Sequence, residues 1–208
     1  MYLRGLCCIA DRSLSPLLFE DMVLRVLEAG IGWIQYRDKE SERRLIYEEA
    51  VKLRKITRDF KAVLIINDHA DIAYAVDADG VHLGQDDLPL NEARKIMKQK
   101  IIGISTHSME QAKEAEKMGA DYIGCGPVFH TSTKDAGDPK GLNMLREIRR
   151  EIRIPVVAIG GITPDNVGTV LAEGADAVAV ASALLRGKIE KNTSMFLDII
   201  RLLEQERL

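Results

Sequence analysis

The chain has 208 residues, 46% of them hydrophobic, which is enough to bury one large core and lies near the lower size limit for a closed barrel of strand–helix units. With 29 basic against 32 acidic residues and a net charge of -3, no excess of positive charge is left to follow a polyanionic backbone, so nucleic acid is not an expected partner. The first apolar stretch is too short to cross a membrane and has no small-residue cleavage site, so a cytoplasmic protein with no membrane attachment is expected.

Taken in chain order, a first apolar run from Leu6 to Ala10 reads as a strand, on which the neighbouring Cys7 and Cys8 point to opposite faces. Ser15-Pro16 then reads as a helix cap followed by proline at the first helical position, with Phe19, Val23, Val26 and Leu27 at helical spacing behind it. Gly30 ends that helix and Gly32 to Tyr36 forms the second strand. Ile46, Ala50, Leu53 and Phe60 carry the next helical face, and strands follow at Ala62 to Ile66, Gly80 to Leu83 and Ile101 to Ile104. Ser108 with Gln111 fits a capping box, Gly119 ends its helix, and Tyr122 to Cys125 is the sixth strand. After Val156 to Ile159, Thr163-Pro164 caps a helix that Gly174 ends; Ala177 to Ala181 is the last strand, and Phe196, Ile199, Ile200 and Leu203 close the chain as a helix.

Most of these runs lack polar alternation, as strands covered on both faces do. Regular strand–helix units without a break predict one (β/α)8 TIM barrel over the whole chain in preference to an open doubly wound sheet with two edges. Three cysteines cannot all pair, and no base is placed beside Cys125, so all three are expected to be reduced packing residues.

Neither a G-x-x-x-x-G-K-[ST] loop nor a dinucleotide fingerprint is present; Gly124-Cys125-Gly126-Pro127 never supplies the third glycine. Chemistry is expected at the carboxyl ends of the strands. Gly160-Gly161 after the seventh strand and Ala181-Ser182 after the eighth occupy the usual phosphate site of such barrels, where backbone N–H groups and a hydroxyl can cradle an anion; a Gly-Gly pair that merely permits a turn is the plainer alternative. Alternation along the second strand puts Gln35, Arg37 and Lys39 on one side. Asn67-Asp68 ends the third strand, and Gln85-Asp86-Asp87 follows the fourth. Asp68 with one acid of the Asp86-Asp87 pair would suit octahedral Mg2+ beside that basic pocket, as a magnesium-bound diphosphate requires, whereas surface ion pairs are the plainer reading. The longest connection, Pro127 to Gly141, reads as a lid whose Thr131, Ser132, Thr133 and Lys134 suit anion capture. His82 is expected to be a hydrogen-bonded barrel residue, and zinc ligation by His69, His82, His107 and His130 is not expected.

With these residues in place, the chain resembles the thiamine phosphate synthase family over nearly its whole length. The resemblance rests on Gln35-x-Arg37-x-Lys39, Asn67-Asp68, the Gly80 to Asp87 run G-V-H-L-G-Q-D-D, Ser105, the T-S-T-K run and Ala158 to Ile162; the extreme N-terminus matches least. It implies that hydroxymethylpyrimidine pyrophosphate loses pyrophosphate and that the nitrogen of hydroxyethylthiazole phosphate captures the pyrimidine methylene, giving thiamine phosphate. It also implies that Asp68 and Asp87 hold Mg2+, that Arg37, Lys39, Asn67 and Lys134 contact pyrophosphate, that Gln35 contacts the pyrimidine, and that the Ser105 hydroxyl lies near the pyrimidine amino group. Thr131, Thr133, Gly161, Ala181 and Ser182 would meet the thiazole phosphate, with Arg37, Lys39, Ser105 and Lys134 carrying the catalytic step. A thiazole tautomerase on the same barrel, or a phosphate sensor without activity, would need no leaving-group pocket; retention of Arg37, Lys39, Asp68, Asp87 and Lys134 argues against both. Homo-oligomerisation is left open.

Overall fold

Alternation along each strand sorts the side chains into two cores, one inside a ring of strands and one between that ring and its helices. The computed structural model describes residues 3–131 and 138–206. In order it contains β1 (Gly5–Asp11), α1 (Phe19–Glu28), β2 (Trp33–Arg37), α2 (Arg43–Asp59), β3 (Val63–Asn67), α3 (Ala70–Ala75), β4 (Gly80–Leu83) and α4 (Leu90–Met97). It continues with β5 (Ile101–Thr106), α5 (Met109–Lys117), β6 (Tyr122–Cys125), α6 (Gly141–Glu151), β7 (Val156–Ile159), α7 (Pro164–Ala172), β8 (Ala177–Val180), the short α8 (Ser182–Leu185) and α9 (Ile189–Glu206). All neighbouring strands are parallel, and β8 pairs back onto β1, closing the predicted (β/α)8 barrel.

Cys7, Ile9, Trp33, Val63, Ile65, Tyr122, Val157, Ala177 and Ala179 fill the barrel interior, while Cys8, Ala10, Ile34, Leu64 and Ile66 face the helices. Adjacent Cys7 and Cys8 thus lie in different cores, as the strand period requires, and both are free thiols. Burial pushes the Cys8 and Cys125 thiols up to about 12, so neither is a nucleophile at neutral pH. Space for the large Tyr122 ring comes from β5, where a Cβ on Gly103 would stand 2.1 Å from the Tyr122 ring.

Helix ends mostly follow the sequence. Gly30, Gly119 and Gly174 adopt the left-handed φ expected of them, at 102°, 86° and 100°. Thr163 and Asn166 form a reciprocal capping box at α7. At α5, Ser108 Oγ accepts from the Gln111 N–H, but the Gln111 side chain accepts the N–H of His107 rather than that of Ser108. Ser15-Pro16 does not start a helix. The Asp11 carboxylate accepts the Ser13 N–H at 3.0 Å and closes a 3-10 turn over Arg12–Leu14; Ser15 ends that turn, and α1 begins only at Phe19.

The amino-terminal face of the barrel is pinned by a device used three times. The backbone N–H of Leu64 donates to Asp79 at 2.8 Å, that of Ile102 to Asp121 at 2.8 Å and that of Val156 to Asp176 at 2.9 Å. Each carboxylate is also paired with an arginine, Arg54, Arg94 and Arg149 respectively. Asp79→Ala would leave a strand amide and the largely buried Arg54 unpartnered. It is expected to cost about 2 kcal/mol, a fall of roughly 4 to 8 °C in Tm for a chain of this size. Thermal unfolding followed by circular dichroism checks this, and an unchanged midpoint would refute the role given to Asp79.

Candidate active site

The two-residue period that fills the interior also decides what reaches the mouth. At the carboxyl ends of the strands the inward positions are Asp11, Gln35, Arg37, Asn67, His82, Ser105, Ile159, Ala179 and Ala181, and together with His107, Thr131, Gly160, Gly161 and Ser182 they line one cavity. Gln35 and Arg37 therefore share a side as expected. Lys39 lies past the end of β2 and turns to the rim, where its ammonium pairs with Asp68.

Asp68 directly follows β3 and is held by its own N–H, which donates to the His82 carbonyl at 2.8 Å. Its φ of 66° lies in the left-handed region, which aspartate tolerates better than most non-glycine residues. Across the rim, Asp87 accepts the Gly84 N–H at 2.6 Å. Gly84 leaves the carboxylate room, since a Cβ there would come within 3.1 Å of it. Burial and the closely facing Asp68 carboxylate raise the Asp87 carboxyl above its ordinary range, against the Gly84 N–H and Lys39, which lower it. Asp86 is exposed, so Asp87 is the member of the acidic pair that faces Asp68. Among the described residues no three His, Cys, Asp or Glu side chains gather around one point, which leaves these two carboxylates as a half-built oxygen site.

Asp11 was not singled out by the sequence. It pairs in register with Arg37, and its Oδ2 accepts from Arg37 Nη1 at 2.6 Å while its Oδ1 accepts from the Ser13 amide and hydroxyl at 3.0 and 2.6 Å. A clamped carboxylate thus fixes the guanidinium over the cavity. The available signal was a charged residue ending the first apolar run one strand away from Arg37.

Opposite this charged rim, the loop after β7 meets the loop after β6. The Val128 and Phe129 N–H groups donate to the carbonyls of Ile159 and Gly160 at 2.9 and 3.0 Å. Gly160 and Gly161 have φ of 100° and 63°, and a Cβ on either would come within 2.6 Å of Pro127 or 2.4 Å of the His130 carbonyl. Loop packing alone therefore requires glycine at both positions, in addition to any approach of a phosphate. Ser182 opens α8, and Ala181, Ser182 and Ala183 border the cavity, the arrangement by which barrels of this kind seat phosphate. Thr131 is in the wall, and the neck of its loop is closed by the Lys140 and Gly141 N–H groups donating to the Pro127 and Val128 carbonyls at 2.7 and 3.1 Å. Ser132, Thr133 and Lys134 lie outside the described residues.

The cavity floor is a polar chain. His82, expected as a hydrogen-bonded barrel residue, has Nδ1 at 2.9 Å from the Tyr122 hydroxyl and Nε2 at 2.9 Å from Ser105 Oγ. Gln85 donates to the Ser105 carbonyl at 2.6 Å. Burial drives the Tyr122 phenol well up, with the Gln35 amide donating to it and working the other way. His107 Nδ1 donates to the Gly126 carbonyl at 2.6 Å, and His69 Nδ1 is taken by Arg43, so these histidines are engaged individually.

A closed barrel with cations, a carboxylate pair and a phosphate-suited turn around one carboxyl-end cavity defines a (β/α)8 enzyme of small phosphorylated molecules. A family model described as thiamine monophosphate synthase matches residues 6–184. The thiamine-phosphate synthase of Halalkalibacterium halodurans is 50% identical over 185 residues, covering 88% of this chain and 85% of that protein, and that of Methanosarcina barkeri is 44% identical over 196 residues, 93% of this chain and 89% of the other. The solved thiamine phosphate pyrophosphorylase of Pyrococcus furiosus superposes with a TM-score of 0.89 at 42% identity over 96% of both chains. The chain belongs to the thiamine monophosphate synthase family. No helix among the described residues is long and apolar enough to cross a membrane.

Proposed function

We propose that this chain joins hydroxymethylpyrimidine pyrophosphate to hydroxyethylthiazole phosphate, releasing pyrophosphate and giving thiamine phosphate, as a cytoplasmic enzyme. The observation that carries this reading is one cavity with two different anion-suited ends: Arg37 and Asn67 line one side, with Lys39 and the Asp68–Asp87 pair on the rim next to Asn67, and Gly160, Gly161 and Ser182 line the other. One phosphorylated substrate alone needs only one such end.

Asp68 and Asp87 fit Mg2+, because both are oxygen donors, they face one another, and the Gly84 N–H holds the Asp87 carboxylate in place. A bound Mg2+ would neutralise charge on the departing pyrophosphate. Arg37, oriented by Asp11, and Lys39 would bind the same group, with Asn67 and, from the family pattern, Lys134 completing the contacts. Gln35 and Ser105 would hold the pyrimidine, and Thr131, Thr133, Gly161, Ala181 and Ser182 the thiazole phosphate. No proton-abstracting pair is required, since the thiazole nitrogen brings its own lone pair. The protein's task is to keep the two rings aligned and to stabilise charge on the leaving group. A tautomerase would have no use for the charged rim.

Turnover is therefore expected to vanish in excess chelator and return with Mg2+; full activity in chelator would refute the metal assignment. A smaller effect separates the two ends of the cavity. Ser182→Ala removes one neutral donor, about 1 to 2 kcal/mol, so the KM for hydroxyethylthiazole phosphate should rise roughly tenfold with kcat nearly kept. Steady-state kinetics with each substrate varied in turn reads this directly, and a KM change confined to the pyrimidine substrate would reverse the assignment.

A further inference from the structure

We infer that the buried Tyr122–His82 pair fixes the direction of the Ser105 hydroxyl, so that Ser105 meets its ligand as a hydrogen-bond donor to an acceptor atom. Tyr122 is 1% exposed, and its phenol proton needs an acceptor; the Gln35 amide donates to the hydroxyl, and His82 Nδ1 at 2.9 Å takes the proton. Reversing that bond would turn the phenol proton toward the Gln35 amide, which presents a donor there and not an acceptor. With Nδ1 accepting, neutral His82 carries its proton on Nε2, and Nε2 donates to Ser105 Oγ at 2.9 Å. Ser105 then has no need to give its own proton to the histidine, and that proton is directed into the cavity whose wall Ser105 forms.

The space for this relay is built in. Gly103 admits the Tyr122 ring, and on β6 a Cβ at Gly124 would stand 3.1 Å from the His82 ring. Trp33 meets Tyr122 edge-on with ring centroids 5.6 Å apart, holding the phenol in place from the interior side. His82 and Tyr122 are thus positioning residues, and the matching ligand feature is a hydrogen-bond acceptor atom with a free lone pair. In the proposed reaction, on which this last step rests, that atom is a ring nitrogen of the aminopyrimidine. A donor there holds the ring without assisting departure of the leaving group, so the relay serves binding rather than the bond-breaking step.

Two measurements on the intact protein test it. Long-range 15N–1H correlation spectra of the histidine rings should show His82 protonated on Nε2 with Nδ1 unprotonated, and Tyr122→Phe should shift the ring toward the other tautomer. Tyr122→Phe should also raise the KM for hydroxymethylpyrimidine pyrophosphate about tenfold, leave kcat within a factor of about two or three and leave the KM for the thiazole substrate unchanged. The same substitution in a Ser105→Ala background should add almost nothing, because the relay acts only through that hydroxyl. A wild-type His82 protonated on Nδ1 overturns the inference, and so does a Tyr122→Phe enzyme with unchanged pyrimidine KM or with equal losses in both backgrounds. The spectra do not depend on turnover: a wild-type protein that makes no thiamine phosphate would refute the proposed function while the tautomer still decides the direction of the hydroxyl.

Discussion

Asp87→Asn is expected to lower kcat by on the order of a hundredfold or more, as removal of a preorganised charge acting on a developing anion does, while leaving the protein at least as stable as before. The two halves of this expectation come from the same geometry. Burial and the facing Asp68 carboxylate push the Asp87 carboxyl up, so its ionised form is disfavoured in the folded chain relative to the unfolded one. A raised carboxyl contributes stability below its unfolded value and loses that contribution as pH rises through the folded value, so at neutral pH the charged group is a net strain on the fold. Asparagine relieves the repulsion and still offers an oxygen to the Gly84 N–H. Kinetics and thermal unfolding on one preparation check both halves. A variant that loses activity and also several degrees of Tm would mark Asp87 as a structural residue.

Gly103→Ala should produce a large loss of stability, about 3 kcal/mol or more, enough to raise the unfolded fraction on the order of a hundredfold. The added Cβ would lie 2.1 Å from Cζ of the Tyr122 ring, 2.3 Å from Cε1 and 2.5 Å from its hydroxyl, and the ring cannot retreat because it is fully enclosed and backed by Trp33. Denaturant unfolding of the variant measures the cost. Combining it with Tyr122→Phe should recover little, since two of the three short contacts are to ring carbons. A Gly103→Ala protein as stable as the parent would mean that the interior is not packed around Tyr122 as described.

The barrel was readable because parallel strands covered on both faces become short apolar runs, and each of the eight runs expected from Leu6 to Ala181 coincides with a strand to within a residue or two. Ser15-Pro16 was misleading because the local pattern competes with a side chain from the strand before it: Asp11 takes the Ser13 N–H and spends that segment on a 3-10 turn. Asp11 was overlooked for a related reason, since a charge after an apolar run reads as the start of a loop until the register places it beside Arg37. The repeated Gly-Ala-Asp at Gly119 to Asp121 and Gly174 to Asp176 is a sequence echo of the carboxylate–amide pins at the amino-terminal face, and it is easily missed because the third pin, Asp79, follows Asp77-Ala78 instead. At the mouth, the period of two brought Gln35 and Arg37 to one cavity, but only the three-dimensional path shows Asp87 rather than Asp86 turning toward Asp68 and Lys39. The Tyr122–His82–Ser105 chain joins three strands and leaves no short-range pattern at all.

The most direct test of the central claim is to incubate the purified protein with hydroxymethylpyrimidine pyrophosphate, hydroxyethylthiazole phosphate and Mg2+, and to measure thiamine phosphate and pyrophosphate. Both products are expected in equal amounts, with neither formed when one substrate is omitted; thiazole phosphate returned unchanged or merely isomerised, with no pyrophosphate released, would contradict a thiamine phosphate synthase.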